Sequence, residues 1–495
     1  MQRMCGGYVC LTWYEKTVYR LTFFLHILLA NSLAFALPIG PTAPVDQTAS
    51  VQRLVNKNAG KAVILPAGTL LVRTLTVPRN TRLTIGAKTV LKGLPTQGSI
   101  PMLTLSTGVV VTGSGVIDGN RTQRKKGTGI QMFDAQQVSV TGLRIREVAE
   151  QAVQIAGCKN VTLTNLQIAG CGVKGVDQFQ GINIVTSQHV NVTKCRIEKV
   201  QHGIQWWGDD TAGWCENLRI SGNQVRRVDG GGIWGNKGRN VVVATNTVET
   251  CGDVGVDFEH SMQCSAVGNV VRNCKNYGLA IFYGSQQVTF TNNTVEQGVA
   301  YGHGIGLIGD QVSKQISFIG GRITTNGPGA CGLTTVGANI AEDVLVRGVR
   351  IVTRGAGAIP IRIVDNNSFR IVNNPLISGK SPTGISLEGS SNSLVEGNVI
   401  VHQGVDASKF SDRGGIFVFF RSAEYPAQKN KISRNTIRGY KTGINDDCWG
   451  NVNSGNTFEQ NITPNLVHRE ANGSWGGRSI RNLTEAKVAA PITAK

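Results

Sequence analysis

The tetrapeptide Asp257-Phe258-Glu259-His260 is the densest reactive constellation in the chain. Two carboxylates at i and i+2 share one face of an extended strand, with Cα atoms about 6.6–6.8 Å apart. That separation suits an acid paired with a base or a nucleophile across one glycosidic bond. Crowding the two groups raises one pKa, as a general acid needs near neutral pH. His260 follows directly and could assist proton transfer. The plainer reading is that outward acids only solvate a strand. Trp207, Trp234, Phe282 and Tyr283 are candidates for stacking on sugar rings. Asp209 and Asp210 follow Trp206-Trp207-Gly208 and, with His202, could hold sugar hydroxyls, a metal ion or a proton. His303 could reach the same groove. Arg362 could pair with a carboxylate on the substrate. No cofactor is required by this chemistry, and calcium is the one ion allowed for.

A repeat must position these residues. A small residue followed by an aliphatic one recurs every 22 to 31 residues, from Gly129-Ile130 through Gly203-Ile204, Gly232-Ile233, Gly255-Val256, Gly278-Leu279 and Gly304-Ile305 to Gly443-Ile444. Such a period marks a solenoid in which each repeat is one coil, so equivalent positions stack in rows. Within a coil the side chains alternate, as in Val254-Gly255-Val256-Asp257-Phe258-Glu259 and then Cys264-Ser265-Ala266-Val267-Gly268-Asn269-Val270-Val271. The coil therefore carries two strand runs, with Val256 and Phe258 inward and Asp257 and Glu259 outward. Asn223, Asn246, Asn269, Asn293, Asn398, Asn435 and Asn456 recur two residues before an apolar anchor. They are read as a ladder at a bend, bonded to backbone and to the next coil. The expected fold is all-β: a single-stranded right-handed parallel β-helix solenoid of about thirteen coils with a short N-terminal cap, the cap being a helix over Ser50 to Asn58. The expected domains are an export signal over 1–36, a linker and cap over 37–60, the β-helix over 61–460 and a polar tail over 461–495.

The formal charge of +19 favours a polyanionic partner through a summed field. An acidic polysaccharide fits that charge. Nucleic acid is the competing polyanion, and the chain carries no zinc, helix-turn-helix or RNA-binding signature to support it. A basic surface with no specific partner is the bland alternative. Arg20, the apolar run Leu21 to Leu29 and the site Ala34-Phe35-Ala36 read as an export signal. No later segment is apolar for the roughly 20 residues that span a bilayer. The mature chain is thus expected to be secreted, periplasmic or on the cell surface, without a transmembrane segment, and monomeric. Of eleven cysteines, Cys5 and Cys10 fall in the signal. The remaining nine are odd in number, so at least one is unpaired within the chain. Cys171, Cys251 and Cys274 share one interior position. Cys251 and Cys274 are close enough in successive coils for a disulfide, but a row of buried thiols is the preferred reading.

The repeats, the opening Leu65-Pro66-Ala67-Gly68 and the run Gly113-Ser114-Gly115-Val116-Ile117-Asp118-Gly119 resemble the pectate-lyase-like β-helix superfamily over roughly residues 60 to 460. The resemblance implies the fold. It leaves the reaction open, because the superfamily includes lyases, hydrolases, epimerases and phage tailspikes. Gly208-Asp209-Asp210, Gly302-His303-Gly304 and Arg362-Ile363 resemble motifs of the polygalacturonases. That family's Asn-Thr-Asp motif has no counterpart here. Its aspartate pair and histidine stand about one coil apart, against four here, so its mechanism is not carried over. Gly255-Val256-Asp257-Phe258-Glu259-His260 is similar to the Asp-Pro-His region of alginate epimerases, without the proline and with the histidine one residue later. Three functions follow. The first is a glycoside hydrolase using Asp257 and Glu259. The second is a polysaccharide lyase or uronan epimerase, with its base and cation drawn from His260, Tyr283, Arg362 or Lys237. The third is a non-catalytic surface glycan-binding or adhesion solenoid.

Overall fold

The computed structural model describes residues 45–172, 179–404, 413–461, 466–469 and 475–478. The export signal expected over 1–36 lies outside the described residues. From Ala62 onward the chain winds into a parallel β-solenoid of about 14 turns. Each turn supplies one strand to each of three parallel sheets, one more than the two runs read from the sequence. The coil that carries the candidate acids shows why. Its strand Val256–Glu259 lies in the third sheet, Ser265–Val267 in the first and Val270–Arg272 in the second. The run Cys264 to Val271 alternates without a break in sequence. The chain nevertheless bends inside it, at Gly268 (φ 62°) and the buried Asn269.

Aliphatic side chains stack coil upon coil to make the core. Ile204, Ile233, Val256, Leu279, Ile305 and Leu333 are register partners in successive strands, and none is more than 1% exposed. The small residue before each of these anchors is required by space. A Cβ on Gly255 would stand 2.3 Å from Val271 Cγ1, 2.6 Å from the Gly278 carbonyl oxygen and 3.0 Å from Cys274 Sγ. Beneath the third sheet, Trp206, Phe258, Phe290 and Phe318 pack ring against ring at 4.9–5.7 Å. Gly235 and Gly238 make room for Trp206, since a Cβ on either would lie within 2.6 Å of its side chain.

The asparagine ladder has the expected form. Asn269 Oδ1 accepts from the backbone N–H (2.9 Å) and the side-chain amide (3.0 Å) of Asn246, while Asn269 Nδ2 donates to the Val243 carbonyl (2.8 Å). Asn223, Asn246, Asn269 and Asn293 form one such run. Asn374, Asn398, Asn435 and Asn456 form a second.

The N-terminal cap is the helix Thr48–Lys57, which buries Val51 and Val55. Gln52 imitates a strand: its amide donates to the Thr76 carbonyl and accepts from the Thr76 N–H, both at 2.8 Å. A sheet end that would invite another chain is thereby occupied. At the other end, part of the expected tail continues the tube. Leu466–Arg469 adds in parallel to Thr442–Asp446, and Trp475–Arg478 pairs antiparallel with it. All nine cysteines of the described residues are buried. Burial pushes Cys195 and Cys215 up to about 11, and Cys171 and Cys264 up to about 12, so these thiols serve as small hydrophobes.

Candidate functional site

The third sheet places Asp257 and Glu259 on its outer face, because the intervening Phe258 and the flanking Val256 are both fully buried in the core. The outer face is not, however, the same as open water. Asp257 is only 3% exposed, and Glu259 is half-buried. No hydrogen-bond partner meets Asp257 Oδ1 among the described residues. Burial, then the charges of Glu259 and Asp253, raise the Asp257 pKa well above the usual carboxylate range, opposed by the backbone N–H of Gly235. Burial and Asp253 raise Glu259 as well, against a hydrogen bond from Asn236 Nδ2 (3.5 Å). Asp253 itself is fixed by Asn276 Nδ2 at 2.6 Å. Three acids therefore converge, and of the pair Asp257 is raised further than Glu259.

Aromatic side chains stand on both sides of this pair. In the preceding coil Trp234 is opposite Asp257 in the register, and its indole N–H has no partner among the described residues. Trp234 meets Trp207 edge-on at 6.3 Å and His202 at 5.0 Å. Trp207 is 44% exposed. In the following coils Tyr277 contacts Phe282 (6.4 Å) and stacks on His303 (5.4 Å). Gly306 lets Tyr277 lie flat on the strand, since a Cβ there would sit 2.4 Å from the ring. The two histidines are held alike. His202 Nδ1 accepts from the Gly231 N–H (2.9 Å) and His303 Nδ1 from the Cys331 N–H (3.0 Å). Burial, then Arg362, lowers the His303 pKa, so its ring is neutral with the proton on Nε2.

His260 and Tyr283 belong to a second column. Each strand of the third sheet ends in a turn residue, and in many coils it has positive φ: Gly157, Gly309, Gly337 and Gly389 at 62–135°. In other coils a residue with a side chain takes the slot: Asp134 (47°), Thr186 (41°), Asp365 (52°) and, in the three middle coils, Lys237 (51°), His260 (42°) and Tyr283 (49°). His260 stacks on Tyr283 at 5.5 Å and 21°, and its Nδ1 lies 3.2 Å from Asn236 Nδ2. Burial, then the charge of Glu259, raises the Tyr283 pKa. Asn236, Asp253 and Tyr277 are members of the site that the sequence did not single out. The register supplies the missing signal, because Asn236 pairs with Glu259 and Tyr277 with His303.

Other candidates are engaged elsewhere. Asp209 Oδ1 accepts from the backbone N–H of Thr211 and of Ala212, both at 2.8 Å, which makes it a turn residue. Asp210 pairs with Lys237 Nζ at 2.6 Å. The strand before Asp209 and the strand of His303 are four register steps apart, about 19 Å, so the polygalacturonase-like pieces are not assembled into one centre. Arg362 faces outward as expected, but its guanidinium is taken by Glu388 through two bonds of 2.9 Å. Among the described residues no group of three or more His, Cys, Asp and Glu is arranged to hold a metal ion.

Asp257 also couples the site to stability. Its folded-state pKa lies above the unfolded value, so the favourable contribution is complete below the unfolded pKa and is lost as pH rises through the folded one. The Asp257→Asn variant should therefore melt higher than the parent at pH 8, by roughly 1–3 kcal/mol of unfolding free energy, and the gap should close below about pH 4. Thermal melts across that range check it.

The region over residues 104–206 and 181–320 matches the family model of the right-handed β-helix region. No curated protein matches the sequence. Among solved structures the chain is similar to the family 28 exopolygalacturonase of Yersinia enterocolitica, at 14% identity and a TM-score of 0.51, over 67% of this chain and 76% of that one. It is also similar to the hyperthermoactive exopolygalacturonase of Thermotoga maritima (14%, TM-score 0.40, 63% and 84%). A third is the mannuronan C-5 epimerase AlgE6 A-module of Azotobacter vinelandii (16%, TM-score 0.38, 85% and 96%). No helix among the described residues is long and apolar enough to cross a membrane. Three stacked parallel sheets, rows of like residues and the matched repeat region make the fold of this chain a right-handed parallel β-helix.

Proposed function

We propose that the chain is an exported glycoside hydrolase that cleaves a polysaccharide lying along the outer face of the third sheet. The observation that carries this reading is the asymmetry of the acid pair. Asp257 is buried, unpartnered at Oδ1 and held protonated, while two residues on Glu259 is more accessible and less perturbed. Environments that drive two carboxyls apart define an acid and a base. Asp257 donates its proton to the glycosidic oxygen as the bond to the anomeric carbon breaks. Glu259 either takes a proton from the attacking water or attacks that carbon itself. Trp207 and Trp234 on one side, and Tyr277 and Phe282 on the other, hold the sugar rings, and the free indole N–H of Trp234 donates to a hydroxyl.

The lyase or epimerase reading needs a cation against the substrate carboxylate. Of its two candidates, Arg362 is bound to Glu388 and Lys237 to Asp210. The acid cluster itself repels an anionic sugar. A polysaccharide panel with and without calcium, read for new reducing ends and for ultraviolet-absorbing unsaturated products, tests the choice. Reducing ends without ultraviolet absorbance are expected. Unsaturated product in any arm overturns the hydrolase reading; with neither product, inverted sugar residues in the recovered polymer, read by NMR, mark an epimerase, and an unchanged polymer leaves the glycan-binding solenoid. Trp234→Ala should raise KM for the cleaved polymer about 2- to 10-fold with a smaller change in kcat, as loss of one stacking ring predicts.

A further inference from the structure

Charge is spread unevenly along the tube. Residues 47–117, the cap helix and the opening coils, hold eight lysines and arginines and no aspartate or glutamate. Eight of the nineteen net positive charges therefore lie in this one stretch. Farther along, arginines are answered by acids: Arg226 and Arg227 by Glu198, and Arg272 by Glu249 and Glu296. At the cap end Arg53, Lys57, Lys61, Arg79 and Arg82 are exposed, and none has a carboxylate partner among the described residues.

Three elements bring four of these charges to one corner. The helix Thr48–Lys57 ends in Lys57. The chain then turns, with the Lys61 N–H donating to the Asn58 carbonyl (2.9 Å), and enters the strand Ala62–Ile64. The next coil reaches the same corner. There the Arg82 N–H donates to the Lys61 carbonyl (3.0 Å), and Thr81 Oγ1 accepts from the Gly60 N–H (3.1 Å). Arg79 lies two residues before Thr81. Ala62 is the register partner of Arg82, and Ile64, two residues on, is 71% exposed.

The residue types narrow the partner. No Phe, Trp, Tyr or His occurs between Asp46 and Met132. Sugar rings and unstacked bases are held on aromatic faces, which this end lacks. Separate cations around an exposed aliphatic side chain suit the headgroup layer of an anionic bilayer, where negative charge is continuous and the boundary accepts an apolar tip. We infer that the cap end of the tube docks on an anionic lipid surface. The candidate acids lie seven register steps away on the third sheet, from Leu75 to Val256, or about 34 Å. Docking by the end leaves the outer face of that sheet open, whatever reaction occurs there.

The test is co-sedimentation of the full chain with phosphatidylcholine vesicles, with and without about one-third phosphatidylglycerol, at about 0.1 M salt. The chain should bind the anionic vesicles and leave the neutral ones, and about 0.5 M salt should release it. Lys57→Gln, Lys61→Gln and Arg82→Gln combined should weaken partitioning at least about tenfold, since each cation near the surface contributes about fivefold. Arg196→Gln, Arg322→Gln and Arg350→Gln combined remove the same charge from exposed positions of the second sheet and should change it less than about threefold. Thermal melts check the fold of both variants, and the salt and lipid dependence of the parent chain decides alone should either fail to fold. Equal binding to neutral and anionic vesicles, equal losses from the two triple variants, or no vesicle binding overturns the lipid docking. Retention on duplex DNA or on hyaluronan without vesicle binding overturns it too, and assigns the basic end to that polymer.

Discussion

Asp257→Asn should lower kcat on the cleaved polymer by about 10²- to 10⁴-fold with little change in KM, because it removes proton donation to the leaving oxygen and leaves the binding walls in place. Glu259→Gln should cost a similar factor. The double variant should be little worse than either single one, since the two groups act on one transition state. The pH profile gives the roles separately. Glu259 must be ionised, so activity falls as pH drops through its raised pKa. Asp257 must be protonated, so activity falls as pH climbs through its own, higher pKa. The optimum is expected above the ordinary carboxylate range, and Glu259→Gln should abolish the acidic limb of the residual activity. A variant pair that keeps parental turnover would falsify the assignment, whatever happens to stability. The Asp257→Asn protein is expected to melt higher at neutral pH, so loss of activity cannot be ascribed to unfolding.

The largest structural effect is expected at the ladder. Asn269→Ala removes three hydrogen bonds: those that Asn269 Oδ1 accepts from the backbone N–H and side-chain amide of Asn246, and the one that Asn269 Nδ2 donates to the Val243 carbonyl, while the Asn246 amide keeps its bond to the Ile220 carbonyl. Asn269 is fully buried, so water does not replace them. With about 1–3 kcal/mol for the orphaned Asn246 N–H and about 0.5–1.5 kcal/mol for each of the other two lost bonds, the loss is about 2–6 kcal/mol, read from urea unfolding. Asn269→Asp should also destabilise, because the Val243 carbonyl then faces a carboxylate. A loss below about 1 kcal/mol for the alanine variant would show that the bend is held by the strands alone.

The tube was readable because its rule is repetitive. Glycine before an aliphatic anchor recurs where a Cβ would strike the next coil, and a buried asparagine recurs where the chain bends. Counting from the anchor also separated Val256 and Phe258 from Asp257 and Glu259. The third strand of each coil was not readable, because alternation runs unbroken from Cys264 to Val271 across a bend that only backbone angles reveal. Nor was the covering of Asp257. Alternation tells which way a side chain leaves the strand and nothing about what its neighbours leave open. Asp209 and Arg362 had the right residue types, but the partners that occupy them, a local turn and Glu388, are matters of distance. Asn236 and Tyr277 lacked any motif and emerged from register alone.

The turn slot that holds Lys237, His260 and Tyr283 lies just past the strand, outside the alternating inward and outward rows. A replacement there neither enlarges a core residue nor breaks a ladder. The reactive lining of this tube can thus be rewritten one turn at a time while its winding stays the same, which would let one scaffold move between chemistries by changes too small to alter its shape.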